Sequence, residues 1–420
     1  MKKITNYIPT GLKSIFRSLR YRNFRLFFSG QSISLIGTWM QRIAMPWLVF
    51  ELTGSVFLLG LVGFLGQIPA FIISPFAGVF ADRWNRYYVM IATQILSMLQ
   101  ALILFYLAQS HTVQVWHLIV LSIFLGCINA IDIPVRQSFV IKMVDRKEDL
   151  SNAIALNSTM VNGAKLLGPS LAGVLIALAG VNVCFLINGL SYLLVITSML
   201  FMKVEFQAKN KKALDVFGEL KTGFAYTIAN IPIKHILLLL SLVSLMGMPY
   251  IVLLPVIAKD ILHGGSETFG FLMGASGVGA LMGALYLASR KCTQGLEKLI
   301  PYCAGVFGLG LVAFSLSSNY YISLAMMVIT GLGMMLQLAS SNTLIQTIVD
   351  DSKRGRVMGF YTMAFMGTAP FGSIMAGSAA KLVGAPLTIL VGGITCIIGA
   401  IVYFGKLPEI TRIVNEKRHL

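Results

Sequence analysis

The chain has 420 residues, 56% of them hydrophobic and only 12% charged, with a formal net charge of +17. A soluble domain carries roughly 25% charged residues. This composition, with a mean hydropathy of +0.80, excludes an ordinary soluble domain and indicates an integral membrane protein. The positive charge raises the question of nucleic acid, which its distribution along the chain answers.

Residues 1–23 form a basic, amphipathic segment. It does not read as a cleavable signal peptide, because the apolar run after it is too long for one. About 20 apolar residues cross a bilayer as a helix. Twelve such runs follow, at 24–50, 55–81, 88–109, 114–141, 150–179, 183–203, 232–258, 267–289, 297–317, 320–348, 356–383 and 386–406. No stretch alternates with the period of two that a membrane β-barrel requires. Residues 204–231 are polar and then amphipathic, with Leu214, Phe217, Leu220 and Phe224 at helical spacing. The expected organisation is therefore a six-span half (24–203), a linker with a surface helix (204–231), a second six-span half (232–406) and a tail (407–420). Cys127, Cys184, Cys292, Cys303 and Cys396 are scattered without metal-type spacing and read as small apolar packing residues.

The basic residues assign an orientation. With the N-terminus inside, all but five of the 33 Lys and Arg fall in the inner connections and termini. The exceptions are Arg42, Arg136 and Lys165 within spans, and Lys259 and Lys381 near outer ends. This is the positive-inside pattern, and it puts both termini in the cytoplasm. The charge is thus a topology signal, and no nucleic-acid partner is expected.

The two halves resemble each other. LGPSLAGVLIALAG (167–180) aligns with FGSIMAGSAAKLVG (371–384), and MVDRKEDLSNAIALNS (143–158) with IVDDSKRGRVMGFYTM (348–363). LGLVGFLGQIPAFIISPFAGVFADR (59–83) matches FGFLMGASGVGALMGALYLASR (269–290) after a short gap. A repeat of six spans keeps its orientation, so the halves are parallel. The expected fold is an all-α membrane protein, twelve transmembrane helices in two parallel six-helix repeats around a central cavity, the plan of a transporter with rocking halves.

The turn after the second span, GVFADRWNR (78–86), resembles the loop signature of the major facilitator superfamily. Gly78, Asp82, Arg83 and Arg86 match it, and Asn85 stands where that family usually has Gly. The second half carries a worn copy, GALYLASR, with Ser289 in place of the Asp. The resemblance implies that this cluster latches the inner ends of the halves when the cavity faces outward, against the start of the eleventh span near Gly355–Gly359. A plain solvated turn is the alternative. GTWMQRIAMPWLVFELTGS (37–55) and PVRQSFVIKMVDRKEDLSNAIALNS (134–158) look like the branch containing the enterobactin exporter and macrolide efflux proteins. In the fifth span, NGAKLLGPSLAG (162–173) is similar to the Gly-rich motif of exporting antiporters. Gly168, Pro169 and Gly173 match, while Ala172 and Ala164 replace expected glycines. These residues would let the helix bend, and the resemblance implies export; a generic proline kink is the alternative. The branch also implies a bacterial inner membrane.

Ionisable groups within spans cost roughly 2.5–3.5 kcal/mol each on insertion scales, so each is a functional candidate. Asp132 and Arg136 in the fourth span are spaced i, i+4 and can pair. Asp132 is the acid lying well inside a span and is the candidate proton carrier; a static pair is the alternative. Gln41 and Arg42 in the first span and Lys165 in the fifth complete a cationic surplus that favours an anionic substrate, such as a carboxylate or catecholate. Arg42 could instead snorkel outward. Trp39, Asn129 and Asn162 join the candidate contacts from the first half, and Tyr250, Gln337, Asn342, Tyr361 and Phe365 from the second. No metal site and no cofactor is expected. No HExxH, GxSxG or GxxxxGK[ST] motif is present, so an enzyme or an ATP-driven pump is not expected.

The reading is a secondary active transporter that exports a small polar or anionic metabolite, a siderophore first, by proton-coupled alternating access. Its expected partners are the substrate, protons and the lipid bilayer, and it is expected to be a monomer. A multidrug or macrolide efflux pump is the alternative within transport. A non-transporting sensor or scaffold is the alternative from another class, and would need an appended soluble domain.

Overall fold

The computed structural model describes residues 16–83, 85–144, 146–202, 216–290, 292–350 and 353–418. Among them there is no strand. Twelve long helices carry the fold. In the first half they are α1 (Arg22–Thr53), α2 (Val56–Arg83), α3 (Arg86–Gln109), α4 (Val115–Lys142), α5 (Lys147–Ala179) and α6 (Val181–Leu200). In the second they are α7 (Ile231–Ile261), α8 (Ser266–Ser289), α9 (Leu296–Ser315), α10 (Tyr320–Ile348), α11 (354–383) and α12 (Ala385–Arg418). A linker helix, Val216–Ala229, precedes α7. Ten of the helices are long and apolar enough on their own to cross a membrane.

The local chemistry of the chain sets the helix ends. Asn85 caps α3 by accepting the Tyr87 amide, and Asn319 caps α10 by accepting those of Tyr321 and Ile322. At equivalent places in the repeat, α5 stops at Gly180 (φ 86°) and α11 at Gly384 (φ 87°), a backbone region that only glycine enters without strain.

Two expectations need correction, and two spans carry a feature that the sequence did not announce. The stretch 407–420 is not a separate tail: α12 continues through it to Arg418, and Ile410 and Val414 are fully buried. α7 and α11 are not regular, since π-helical turns interrupt them at Val243–Gly247, Ile257–Ile261 and Met363–Gly367. Cys292 is exposed in a connection, whereas Cys184, Cys303 and Cys396 are buried packing residues as read. In the linker helix, Phe224 lies 5.9 Å from Phe360 and remains 55% exposed. Leu214 and the side chains of Phe217 and Leu220 lie outside the described residues.

The repeat is repeated in three dimensions. A Cβ built on Gly270 of α8 would stand 2.7 Å from the Gly173 Cα and 2.6 Å from the Pro169 carbonyl oxygen of α5. A Cβ on Gly60 of α2 would stand 2.9 Å from the Gly377 Cα and 2.6 Å from the Ser373 carbonyl oxygen of α11. Gly60 aligns with Gly270, Gly173 with Gly377 and Pro169 with Ser373, so these are one crossing made twice. Only residues without side chains let the backbones meet there.

Both crossings lie at one end of the bundle, where α1 joins α2 and α5 joins α6. Trp47 stacks 6.2 Å from Phe269, Lys259 sits 5.6 Å over the Phe50 ring, and Phe64 meets Phe371, all across the halves at this end. The contact reaches down to Phe71 against Gly367, about 22 Å along α2. Beyond it the halves part: Gly163 of α5 and Gly355 and Gly359 of α11 face open space. The bundle is closed at one end and open at the end that carries Arg17 and Arg418.

At the open end each half ties the foot of its gating helix to the segment that leads into the half. Asp149, buried in the first turn of α5, takes Tyr21 Oη at 2.7 Å, Arg17 Nε at 3.2 Å and the Arg20 guanidinium. Ser18 adds bonds to Asn152 Oδ1 and the Asp149 carbonyl. At the foot of α11, Tyr226 of the linker helix donates to Asp350, Lys353 lies 4.3 Å over the Tyr226 ring, and Arg356 donates to Thr222.

Candidate functional site

α1 and α5 touch where Gly168 meets Trp39. A Cβ on Gly168 would stand 2.5 Å from the Trp39 Cβ, so the missing side chain seats the indole. The contact brings two cations onto one ring: Arg42 Cζ lies 4.6 Å and Lys165 Nζ 5.9 Å from it. Arg42 is exposed although it lies some 30 Å along α1, near the level where the halves separate. An exposed arginine at that depth opens onto the central cavity. Arg136 of α4 acts electrostatically on Arg42, and Arg42 on Lys165, so the three share one field.

Asp132 answers only one of these charges. Arg136 Nε approaches its Oδ2 at 3.5 Å, while Thr93 Oγ1 and Gln94 Nε2 of α3 each donate to Oδ1 at 2.9 Å. The Asp132 side chain is 8% exposed, whereas the Arg136 side chain is 22% exposed. Neutral donors therefore hold the acid from behind, and the arginine in front keeps one side toward the cavity. The i, i+4 spacing made the pair legible. Thr93 and Gln94 were missed, because nothing in the sequence links α3 to that face of α4.

Not every candidate reaches the cavity. Gln41 is buried and bonded to Gln100 (2.8 Å) and Asn188 (2.6 Å), so it joins α1 to α3 and α6. Tyr250 is buried, pairs with Ser276 at 3.1 Å and packs on Phe307 inside the second half. Gln337 is 1% exposed and its Nε2 has no partner. For these three, the expectation of a substrate contact gives way to helix packing. Tyr361 donates to the Leu338 carbonyl, and the Phe365 carbonyl accepts from Ser244, which joins the π turns of α7 and α11. Asn342 is half-buried and accepts from the exposed Gln346, leaving an amide pair on the accessible side of α10. Asn129 is half-buried one turn from Asp132, and Asn162 donates to the Ser158 carbonyl.

α5 runs as one helix through Pro169. Gly168 and Gly173 make close contacts with α1 and α8. The side chains of Gly78, Asp82 and Arg83 lie outside the described residues. Arg86 begins α3 at the open end.

Comparison with known proteins agrees with this arrangement. Residues 13–419 match the family model described as transmembrane secretion effector. The chain is 25% identical to the Staphyloferrin A transporter of Staphylococcus aureus, over 94% of this chain and 99% of that one. It is 23% identical to Macrolide efflux protein A of Streptococcus pyogenes, over 91% and 96%. Among solved structures it is similar to a bacterial homologue of the human lysosomal transporter Spinster in an inward-facing, unoccupied conformation, with TM-score 0.69, 14% identity, and 94% of this chain and 98% of that one covered. A bacterial homologue of the iron transporter ferroportin, in an inward-facing state, gives TM-score 0.68 and 17% identity over 92% and 98%.

Proposed function

From the premise that the chain belongs to the transmembrane secretion effector family, within the major facilitator superfamily, we propose that it exports a small anionic metabolite of the siderophore class in exchange for protons. It is a multi-pass membrane transporter of small molecules and not an enzyme. The observation that carries the substrate reading is the charge of the cavity. Arg42, Lys165 and Arg136 stand against Asp132 alone, which leaves two positive charges for a ligand to neutralise. In a cavity with low-dielectric walls such a surplus attracts anions and rejects protonated amines. The relative named for staphyloferrin A supports the siderophore class. The relative named for macrolide efflux keeps drug export as the competing reading.

The positive-inside pattern supports an orientation in which the open end faces the cytoplasm of a bacterial inner membrane, and on that reading the cavity is open inward for loading. In exchange, Asp132 takes a proton on the outer side after the anion has left and releases it to the cytoplasm, where pairing with Arg136 favours the carboxylate and the cavity loads the next anion. Asp132→Asn is expected to abolish the response of transport to an imposed proton gradient while leaving substrate exchange between equal pools. A variant that still responds to the gradient would refute the carrier role. Closure of the inner end brings Asp82, Arg83 and Arg86 to the start of α11. Asp82→Asn is expected to raise labelling of a cysteine placed at Gly355 several-fold during turnover; unchanged labelling and transport would remove the latch.

The experiment for the function itself is metabolite profiling of a deletion strain grown without iron. A chelator lost from the medium and accumulated in cells supports the reading. An unchanged chelator profile together with heightened drug sensitivity transfers it to drug efflux.

A further inference from the structure

A second basic site lies on the other side of α1. At 100° per residue, Arg22, Arg25, Ser29 and Ile33 fall on one arc of the helix. Gly30 and Gly37, which touch Ser198 and Asn188, point to α6 on one flank of that arc, and the Gly168 contact points to α5 on the other. Arg42 points roughly 140° away, toward the cavity. All four residues of the arc are exposed, Ile33 by 53%. They form the floor of a groove between α5 and α6, which are joined at the closed end and separate toward the open one. At its mouth Leu200 and Phe201 are 64% and 62% exposed.

The two arginines differ from those just before them. Arg17 and Arg20 are neutralised by Asp149. Arg22 spends one donor on the Phe201 carbonyl at 3.2 Å, and no acid among the described residues pairs with Arg22 or Arg25. Two guanidinium groups without an acid partner among the described residues stand at the start of α1, over an apolar stripe made by the exposed Ile33, Leu200 and Phe201. A free anion matches the charges but not the stripe.

We propose that this groove binds an anionic phospholipid, with its phosphate on Arg22 and Arg25 and an acyl chain along Ser29 and Ile33. The lipid bridges α1 and α6 at the open end and is independent of the transported substrate. Native mass spectrometry of the purified full-length protein, titrated with phosphatidylglycerol or phosphatidylcholine, tests it. One phosphatidylglycerol is expected to stay bound where phosphatidylcholine leaves. Each cation near a lipid surface contributes about fivefold in affinity, so R22Q/R25Q is expected to bind about 30-fold more weakly. R25Q alone, expected to lose about fivefold, serves if the double variant is not recovered. Equal retention of the two lipids, or equal retention by wild type and R25Q, would overturn the proposal. Displacement of the lipid by an equimolar amount of glycerol phosphate would overturn it too, as the site would then serve a free anion.

Discussion

Gly270→Val is expected to leave the protein inserted and folded but to cut transport at least tenfold by preventing closure of the end that is closed here. The new side chain would meet backbone, the Pro169 carbonyl oxygen at 2.6 Å and the Gly173 Cα at 2.7 Å, and neither can rotate aside. Overpacking of this kind costs about 1–3 kcal/mol. The cost falls only on the conformation in which α5 and α8 touch, so it shifts the population by roughly five- to 150-fold toward the alternative state. Gly60→Val is expected to do the same through Ser373 and Gly377. Electron–electron resonance distances between labels at Ser110 and Ser318, exposed connections of the two halves at the closed end, should lengthen in either variant. Gly355→Val is the contrast: its Cβ meets nothing in this conformation, so the same distances should not lengthen. Unchanged distances and unchanged transport in Gly270→Val would show that the crossing is not a gate.

The residue pairs of that crossing follow from the repeat, although the loop signature in the sequence points to a gate at the inner turn instead. Aligning 59–66 with 269–276 and 167–180 with 371–384 already paired Gly60 with Gly270 and Gly173 with Gly377. A two-fold relation between halves then turns each alignment into a contact with the other. Most helix ends were legible as well, since apolar runs stop where Gly, Asn and charge begin; α12 is the exception, because it runs on through charged residues to Arg418. The π turns of α7 and α11 were not, because one extra residue in a helical turn leaves the apolar run unbroken.

For the site, charge was informative and polarity was not. A cation within a membrane span has few solutions, so Arg42, Arg136 and Lys165 converge. An amide has many, and Gln41 found two within its own half, in Gln100 and Asn188. The halves also differ in a way that the repeat makes visible. Extending the alignment back from 143 and 348 puts Gln337 at the position of Asp132 and Ser341 at that of Arg136. The second half keeps the polar place without the charges, and the proposed coupling therefore rests on one half alone.

Arg42→Gln and Lys165→Gln are each expected to weaken binding of the anionic substrate about 10- to 100-fold, and together to abolish it at micromolar concentrations. A hydrogen bond to a charged group is worth about 1.5–3 kcal/mol, and a tenfold change is about 1.4 kcal/mol. Both cations lean on Trp39, so the indole holds them side by side without neutralising them. Lys165→Arg should retain most of the affinity and Trp39→Ala should lose part of it, because charge and placement are separate contributions. Equilibrium binding to the detergent-solubilised protein reads these effects without dependence on the coupling ion. The double variant also decides between substrate classes, since it takes the net charge of Arg42, Lys165, Arg136 and Asp132 from two positive to zero. If the cavity were built for cationic drugs, removing two repulsive charges would raise their export, and cells carrying R42Q/K165Q would become more resistant. If it is built for an anion, the variant loses the metabolite and gains no resistance that matters, because a cavity shaped by Trp39 and two long cationic side chains does not become a drug site by losing their charge.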